Sequence, residues 1–259
     1  MKISIPTLRD VRKWVDERTG IFNILEKMFY EPVPGGAKWS YIFGSGILFV
    51  FSMQAITGIF LSTYYASTTT DAWGSVYFIQ EQAAFGWFVR GMHSIGSSAI
   101  IVLCGMHLIQ VFIYGAYKRP RELNWITGLL MLFIVLGFGL TGYLLPWDQK
   151  GYWATQVATS IMGTSPVIGK YLQTLILGGS DYGNFTLTRF STIHKIVLPA
   201  MLGGLVLIHL YLFRQHGVTT SCKIGKEELK ARAEPFWRSQ AFKDIAFSLL
   251  IKNDSAFNS

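Results

Sequence analysis

The sequence predicts an all-α membrane protein built on four transmembrane helices, with an amphipathic helix before them and a surface tail after them. Three observations carry this reading. The 259 residues are 51% hydrophobic and 15% aromatic, with a positive mean hydropathy, which is too apolar for an ordinary soluble domain of this size. Four long stretches lack Asp, Glu, Lys and Arg, and each supplies the ~20 apolar residues that ~30 Å of hydrocarbon asks of a helix. The basic residues flank these stretches unevenly, as they do in a chain with a fixed orientation in a bilayer.

The chain divides into a surface segment (1–38), a transmembrane bundle (39–214) and a C-terminal extension (215–259). In the first segment Leu8, Val11, Trp14 and Val15 interleave with Arg9, Arg12 and Lys13, the spacing of a helix lying in the membrane interface. A soluble arm packed on a partner would show the same pattern. The four spans lie between Lys38 and Asp71, Arg90 and Lys118, Glu122 and Asp148, and Lys195 and Arg214. Only Lys118 to Glu122 separate the second from the third, and Pro120 suits a tight turn there. Both termini and this turn carry eighteen of the 23 Lys and Arg; Arg90, Lys150, Lys170, Arg189 and Lys195 occupy the other side. The positive-inside rule therefore directs both termini to the cytoplasm, across a bacterial cytoplasmic membrane or an equivalent energy-transducing one.

Other classes fit poorly. The formal charge of +8 is spread around hydrophobic spans, which points to a lipid surface and not to nucleic acid. Two cysteines, Cys104 and Cys222, make no disulfide scaffold, and no C-x-x-C string offers a zinc site or a standard covalent haem site. Both cysteines read as packing or surface residues. The first thirty residues hold no uninterrupted apolar core, so no cleavable signal peptide is expected.

Histidine carries the chemistry. Two of the five stand in the second span, His93 and His107, and two in the fourth, His194 and His209; His216 follows the last span. Ionisable residues inside a membrane are costly and usually functional, although a lone histidine can also bond a neighbouring helix. Steps of fourteen and fifteen residues separate each pair by ~21–22 Å on nearly the same helix face. The second and fourth spans run parallel, which sets His93 level with His194 on the outer side and His107 level with His209 on the inner side. Two imidazole pairs of this kind suit two bis-histidine b haems, whose iron then has no open position for oxygen chemistry and serves electron transfer.

Glycines repeat the register. Gly44 and Gly58 in the first span, and Gly128 and Gly142 in the third, are also fourteen apart, marking the same two levels where a macrocycle edge would need a helix without a side chain. Small residues also mediate helix packing, the alternative for Gly46, Gly105, Gly137 and Gly139. Arg90 at the outer end, and Arg214, Lys118 and Arg121 at the inner end, are candidate partners for haem propionates; interfacial anchoring explains the same positions.

Strings along nearly the whole chain closely resemble the cytochrome b family: Phe85-Gly86-Trp87 with Arg90 and His93, Lys118-Arg119-Pro120-Arg121-Glu122-Leu123, Thr141-Gly142-Tyr143 with Leu145-Pro146-Trp147-Asp148-Gln149, and Thr188-Arg189-Phe190 with His194. Tyr64-Tyr65 with Thr70-Asp71-Ala72, and Gly151-Tyr152-Trp153-Ala154, add to them. The fifteen-residue step and the four spans look like the short cytochrome b6 type. That resemblance implies a dimeric quinol-oxidising complex with a Rieske iron–sulfur protein, a cytochrome c-type subunit and a small membrane subunit of the subunit IV type. It implies bifurcated quinol oxidation on the outer side, with one electron passing from the His93/His194 haem to the His107/His209 haem and on to an inner quinone site, coupled to proton translocation.

The resemblance also sets expectations of absence. The family's acidic Pro-Glu-Trp/Phe-Tyr motif does not occur in this sequence, so Tyr143, Pro146 and Trp147 can shape a quinol site whose proton acceptor another chain supplies, and the chain is not active alone. The short type often binds an extra haem covalently through a cysteine near the start of the first span; alignment on Gly44, Gln54 and Gly58 places Ile42 there, so no covalent haem is expected, while a non-covalent third haem stays open. Glu234-Pro235-Phe236-Trp237 with Phe242-Lys243-Asp244-Ile245 resembles the stretch that introduces the small subunit and reads as a cytoplasmic-side amphipathic segment. Two other classes were weighed by residue pattern: the dihaem anchor of a hydrogenase or formate dehydrogenase, disfavoured by the fourteen/fifteen pairing, and a proton-relay transporter, disfavoured because the spans hold no acidic partners.

Overall fold

A computed structural model describes residues 7–22, 26, 30, 32–33, 35–219 and 231–256; Cys222 lies outside them. Helix α1 (Leu8–Thr19) begins in a reciprocal cap, with the Thr7 hydroxyl accepting from the Asp10 N–H while the Asp10 carboxylate accepts from Thr7, and it ends at Gly20 in the left-handed region. Gly20 serves there because a Cβ strains a backbone at φ 64°. No α1 residue is buried; Leu8, Val11 and Trp14 are exposed on a helix whose apolar face no other described element covers.

The four spans are α2 (Ile42–Tyr64), α4 (Gly86–Ile113), α5 (Glu122–Leu144) and a composite of α8 (Asn184–Thr192) and α9 (Leu198–His216). The last two are continuous through Ile193–Val197 and form one apolar helix, Asn184–His216. It starts well before Lys195, the boundary that charge alone suggests. Hydropathy marks the part of a helix that needs lipid, and the helix itself continues into the polar region. Lys195 remains at that end with its ammonium 4.6 Å over the Tyr65 ring.

The bundle is sparsely buried by its own residues, as a lipid-solvated protein should be. Val50, Ile100, Leu103, Ile134, Val135 and Leu202 form the core between the four helices, and Cys104 packs at its edge. Large residues such as Ile59, Phe112, Phe133 and Leu207 face outward. Helices α2 and α4 come close because Gly96 has no Cβ: one would stand 2.7 Å from Met53 Cε. Gln54 Nε2 also donates to the His93 carbonyl at 2.9 Å.

On the outer side, α3 (Ala72–Glu81), α6 (Gln149–Gly163) and α7 (Gly169–Leu177) form the connections. Ala72, Leu144, Leu187 and Phe190 make a second buried cluster there. Thr159 and Tyr182 hydroxyls pair across it, and Asp148 caps α6 through the Gly151 N–H at 2.7 Å.

On the opposite side, β1 (Pro32–Val33) pairs antiparallel with β2 (Glu234–Pro235), so the N-terminal arm and the C-terminal extension share one face of the bundle. After β2 and a π-helical turn, α10 (Ala241–Ala256) docks against the starts of α2 and the end of α4 instead of lying apart as an amphipathic surface segment. The Lys243 ammonium donates to the Ala37 carbonyl at 2.6 Å, the Lys38 N–H donates to Gln240 Oε1 at 3.0 Å, and Phe247 meets Phe43 edge to face. These contacts come from residues some two hundred positions apart, and no local periodicity encodes them.

Burial in this contact pushes the Asp244 carboxyl above the usual carboxylate range, against opposing hydrogen bonds from Gln240 and Ser45. A raised carboxyl pKa means that the docked helix holds the proton more tightly than the free one. Docking is therefore strongest below the ordinary carboxylate pKa and weakens as pH rises through the raised one. Hydrogen exchange of the amides in 241–250, corrected for intrinsic rates, should show protection falling over that rise. Asp244→Asn should flatten the dependence; an unchanged pH profile in that variant would refute the assignment.

Candidate functional site

The bundle brings the four membrane histidines into two layers. In the outer layer the His93 and His194 rings lie with centroids 6.3 Å apart and planes at 72°. Each also faces a glycine of the helix antiparallel to its own. A Cβ on Gly58 would stand 3.2 Å from His93 Cε1, and one on Gly142 only 2.8 Å from His194 Cε1. In the inner layer, nearer the basic termini, the corresponding distances are 3.6 Å from Gly44 to His107 and 3.5 Å from Gly128 to His209. The two glycine pairs and two histidine pairs thus match one to one. Gly137 and Gly139 instead meet Leu198 and Ile101 methyls, and Gly105 meets nothing within 4 Å.

The unequal steps of fourteen and fifteen residues have a structural answer. At 100° per residue, one extra residue would rotate His194 away from its face of a straight α-helix. Residues Ile193–Val197 form a π-helical turn in which the Leu198 N–H donates to the Ile193 carbonyl, and such a turn absorbs one residue within the helix. Pro199 supplies a cause, because it lacks an N–H and its ring crowds the carbonyl four residues earlier. A proline five residues after His194 was the signal available in the sequence.

Hydrogen bonds decide which ring nitrogen is free. Thr57 Oγ1 lies 2.9 Å from His93 Nδ1, Thr141 Oγ1 3.0 Å from His194 Nδ1, and Thr127 Oγ1 3.0 Å from His209 Nδ1. Each hydroxyl already gives its one proton to its own helix, to Met53, Gly137 and Asn124 carbonyls respectively. These oxygens therefore accept from Nδ1–H. His107 Nδ1 is 3.2 Å from Gln110 Oε1, which also can only accept. All four imidazoles are thus set with Nε2 unprotonated and able to donate a lone pair. Spacing along one helix cannot reveal these partners, which the sequence reading missed; the Thr-Gly dipeptides at Thr57-Gly58, Thr127-Gly128 and Thr141-Gly142 were the visible trace.

The basic candidates separate by position. Arg90 donates to Gln80 Oε1 at 2.7 Å and borders a cleft of about 180 Å³ with Trp73, Tyr77, Pro146 and Asp148. Arg121 donates to the His216 carbonyl at 2.8 Å, closing the last turn of α9. Lys118 lies with its ammonium 5.9 Å over the Tyr117 ring, and Arg214 stands in the last turn of α9. His216 Nδ1 bonds the Leu212 carbonyl at 2.9 Å, outside both layers. Tyr143 is exposed near the outer end of α5, and Trp147 takes a left-handed backbone with φ 55° beside Tyr152.

The family model described as Cytochrome b/b6/petB matches residues 28–217. This chain belongs to the cytochrome b family. The menaquinol:cytochrome c reductase cytochrome b subunit of Bacillus subtilis (strain 168) is 43% identical over 220 residues, covering 82% of this chain and 98% of that protein. Cytochrome b6 of Prochlorococcus marinus (strain NATL1A) is 37% identical over 209 residues, covering 81% and 96%. A solved chain of a hyperthermophilic respiratory complex III superposes with a TM-score of 0.81 at 32% identity over 95% of this chain, which spans 66% of that longer chain. The four-helix membrane architecture expected from hydropathy is the cytochrome b fold. The two histidine layers lie within the matched region; α10 lies beyond it.

Proposed function

We infer that this cytochrome b carries electrons across an energy-transducing membrane as a subunit of a quinol-oxidising complex, through one bis-histidine b haem per layer. The observation that carries the reading is the set of four imidazoles, paired in two layers with Nε2 free and a glycine opposite each. The donor chemistry fits haem. Two metal–imidazole bonds of ~2 Å plus the half-widths of two rings approximate the 6.3 Å between His93 and His194. Among the described residues no three His, Cys, Asp or Glu side chains converge on one point, so each pair offers two axial ligands and leaves the equatorial ones to a macrocycle.

When bound, haem iron supplies one-electron redox chemistry. The chain's own residues do the rest. His93 and His194 hold the outer level and His107 and His209 the inner one, ~21 Å along the helices. Gly44, Gly58, Gly128 and Gly142 keep side chains out of both levels. Arg90 on the outer side, and Arg214, Lys118 and Arg121 on the inner side, offer positive charge to propionates. Tyr143, Pro146 and Trp147 shape the outer quinol site, while the proton acceptor comes from a neighbouring small membrane subunit. A Rieske iron–sulfur protein and a cytochrome c-type subunit complete the complex, which is a homodimer with both termini of this chain cytoplasmic and contributes to proton translocation.

Purified complex and isolated, haem-replete chain should differ sharply. Pyridine haemochrome should give two b haems per chain in both, and only the complex should oxidise quinol. Denaturing electrophoresis should leave no haem-stained band at this chain's mass, because Ile42 offers no thiol. Quinol oxidation by the isolated chain at the rate of the complex, or a stained band, would overturn the corresponding part of the reading.

A further inference from the structure

Three of the four histidines are held by one repeated device. Thr57, Thr141 and Thr127 each stand on the helix beside the histidine they bond, each spends its proton on a carbonyl of that helix, and each immediately precedes the glycine that faces the same ring. Back-bonding of this kind inside a helix is slightly unfavourable, yet it occurs at the same point three times. The fourth position departs from the pattern. Phe43 precedes Gly44, and His107 finds its acceptor in Gln110, one turn along its own helix and 3.2 Å away.

We propose that Thr57, Thr141 and Thr127 are positioning residues that tune the two haems unequally, two threonine acceptors serving the outer haem and one the inner. The proposal rests on the bis-histidine reading above. An acceptor at Nδ1–H raises the basicity of Nε2 and fixes the ring, which stabilises ferric over ferrous iron and lowers the potential. A threonine locked by its β-branch and its back-bond presents that acceptor rigidly. Gln110 must immobilise a longer side chain to do the same, losing rotamer freedom. Phe43, packed against Phe247, makes the inner haem the one with unequal axial ligands.

Redox titration of the assembled complex, with the two haems resolved optically, tests this. Thr57→Val and Thr141→Val should each raise the outer potential and leave the inner one unmoved; Thr127→Val should do the reverse. The Thr→Ser variants keep the hydroxyl and should return each potential towards the unsubstituted value. Phe43→Thr, which installs the missing acceptor before Gly44, should lower the inner potential. Loss of the corresponding haem in a valine variant, with retention in its serine counterpart, would equally support the assignment. Valine variants with both potentials unchanged, serine variants shifted or haem-depleted as far as valine, or an unmoved inner potential in Phe43→Thr would overturn it. Failure of the underlying reading would instead appear in the unsubstituted chain, as a haem count other than two.

Discussion

Replacing His93 or His194 with leucine should remove the outer haem, and replacing His107 or His209 the inner one, so each single variant should hold half the haem of the parent protein. Loss of one axial nitrogen leaves the iron with one protein ligand, and the vacated side of the layer is lined by apolar residues and a glycine that cannot substitute. The layers are separate enough for the other haem to remain. His216→Leu should keep both haems, because that side chain bonds the Leu212 carbonyl beyond the inner layer. Pyridine-haemochrome counts on purified variants measure this directly, and full haem in any of the four ligand variants would remove that residue from the assignment.

Alanine substitution at the four glycines should give a graded result. At Gly142 an added Cβ would stand 2.8 Å from His194 Cε1, closer than real side chains tolerate, so the ring must move. Overpacking of this kind costs ~1–3 kcal/mol, more than the ~1 kcal/mol that alanine returns in helix propensity. Gly142→Ala should therefore lose the outer haem while keeping the inner one. Gly58→Ala, at 3.2 Å, should weaken the outer site less. Gly128→Ala and Gly44→Ala meet their rings at 3.5 and 3.6 Å, ordinary contact, and should retain more haem than either. Equal loss at all four positions would mean that clearance around the macrocycle edge, and not the packing of glycine against histidine, governs the site.

Much of this molecule was legible as a one-dimensional pattern. Uncharged stretches, the clustering of Lys and Arg, and the repeated fourteen-residue steps are properties of single helices, and a bilayer makes them decisive because backbone polar groups must be satisfied within the helix. The four spans, their order and the membership of the cytochrome b family followed from such features. The layering of His93 with His194 followed too, since parallel helices of equal rise keep their levels.

What lay outside that pattern depends on how neighbouring helices are rotated. Thr57, Thr127 and Thr141 look like ordinary membrane threonines until α2 and α5 turn their faces towards α4 and the fourth span. The π-helical turn at Ile193–Val197 is visible only as one extra residue, and whether a helix absorbs that residue or rotates depends on what its histidine must face. The docking of α10 joins Lys243 to Ala37 and Phe247 to Phe43, and its short apolar helix carried no signal of which surface it would cover. By itself the sequence determined which residues share a level in the membrane, because rise per residue is a property of one helix. Tertiary structure decided which atom of each imidazole is held and which is left free, because that hydrogen bond crosses from one helix to the next at three of the four histidines.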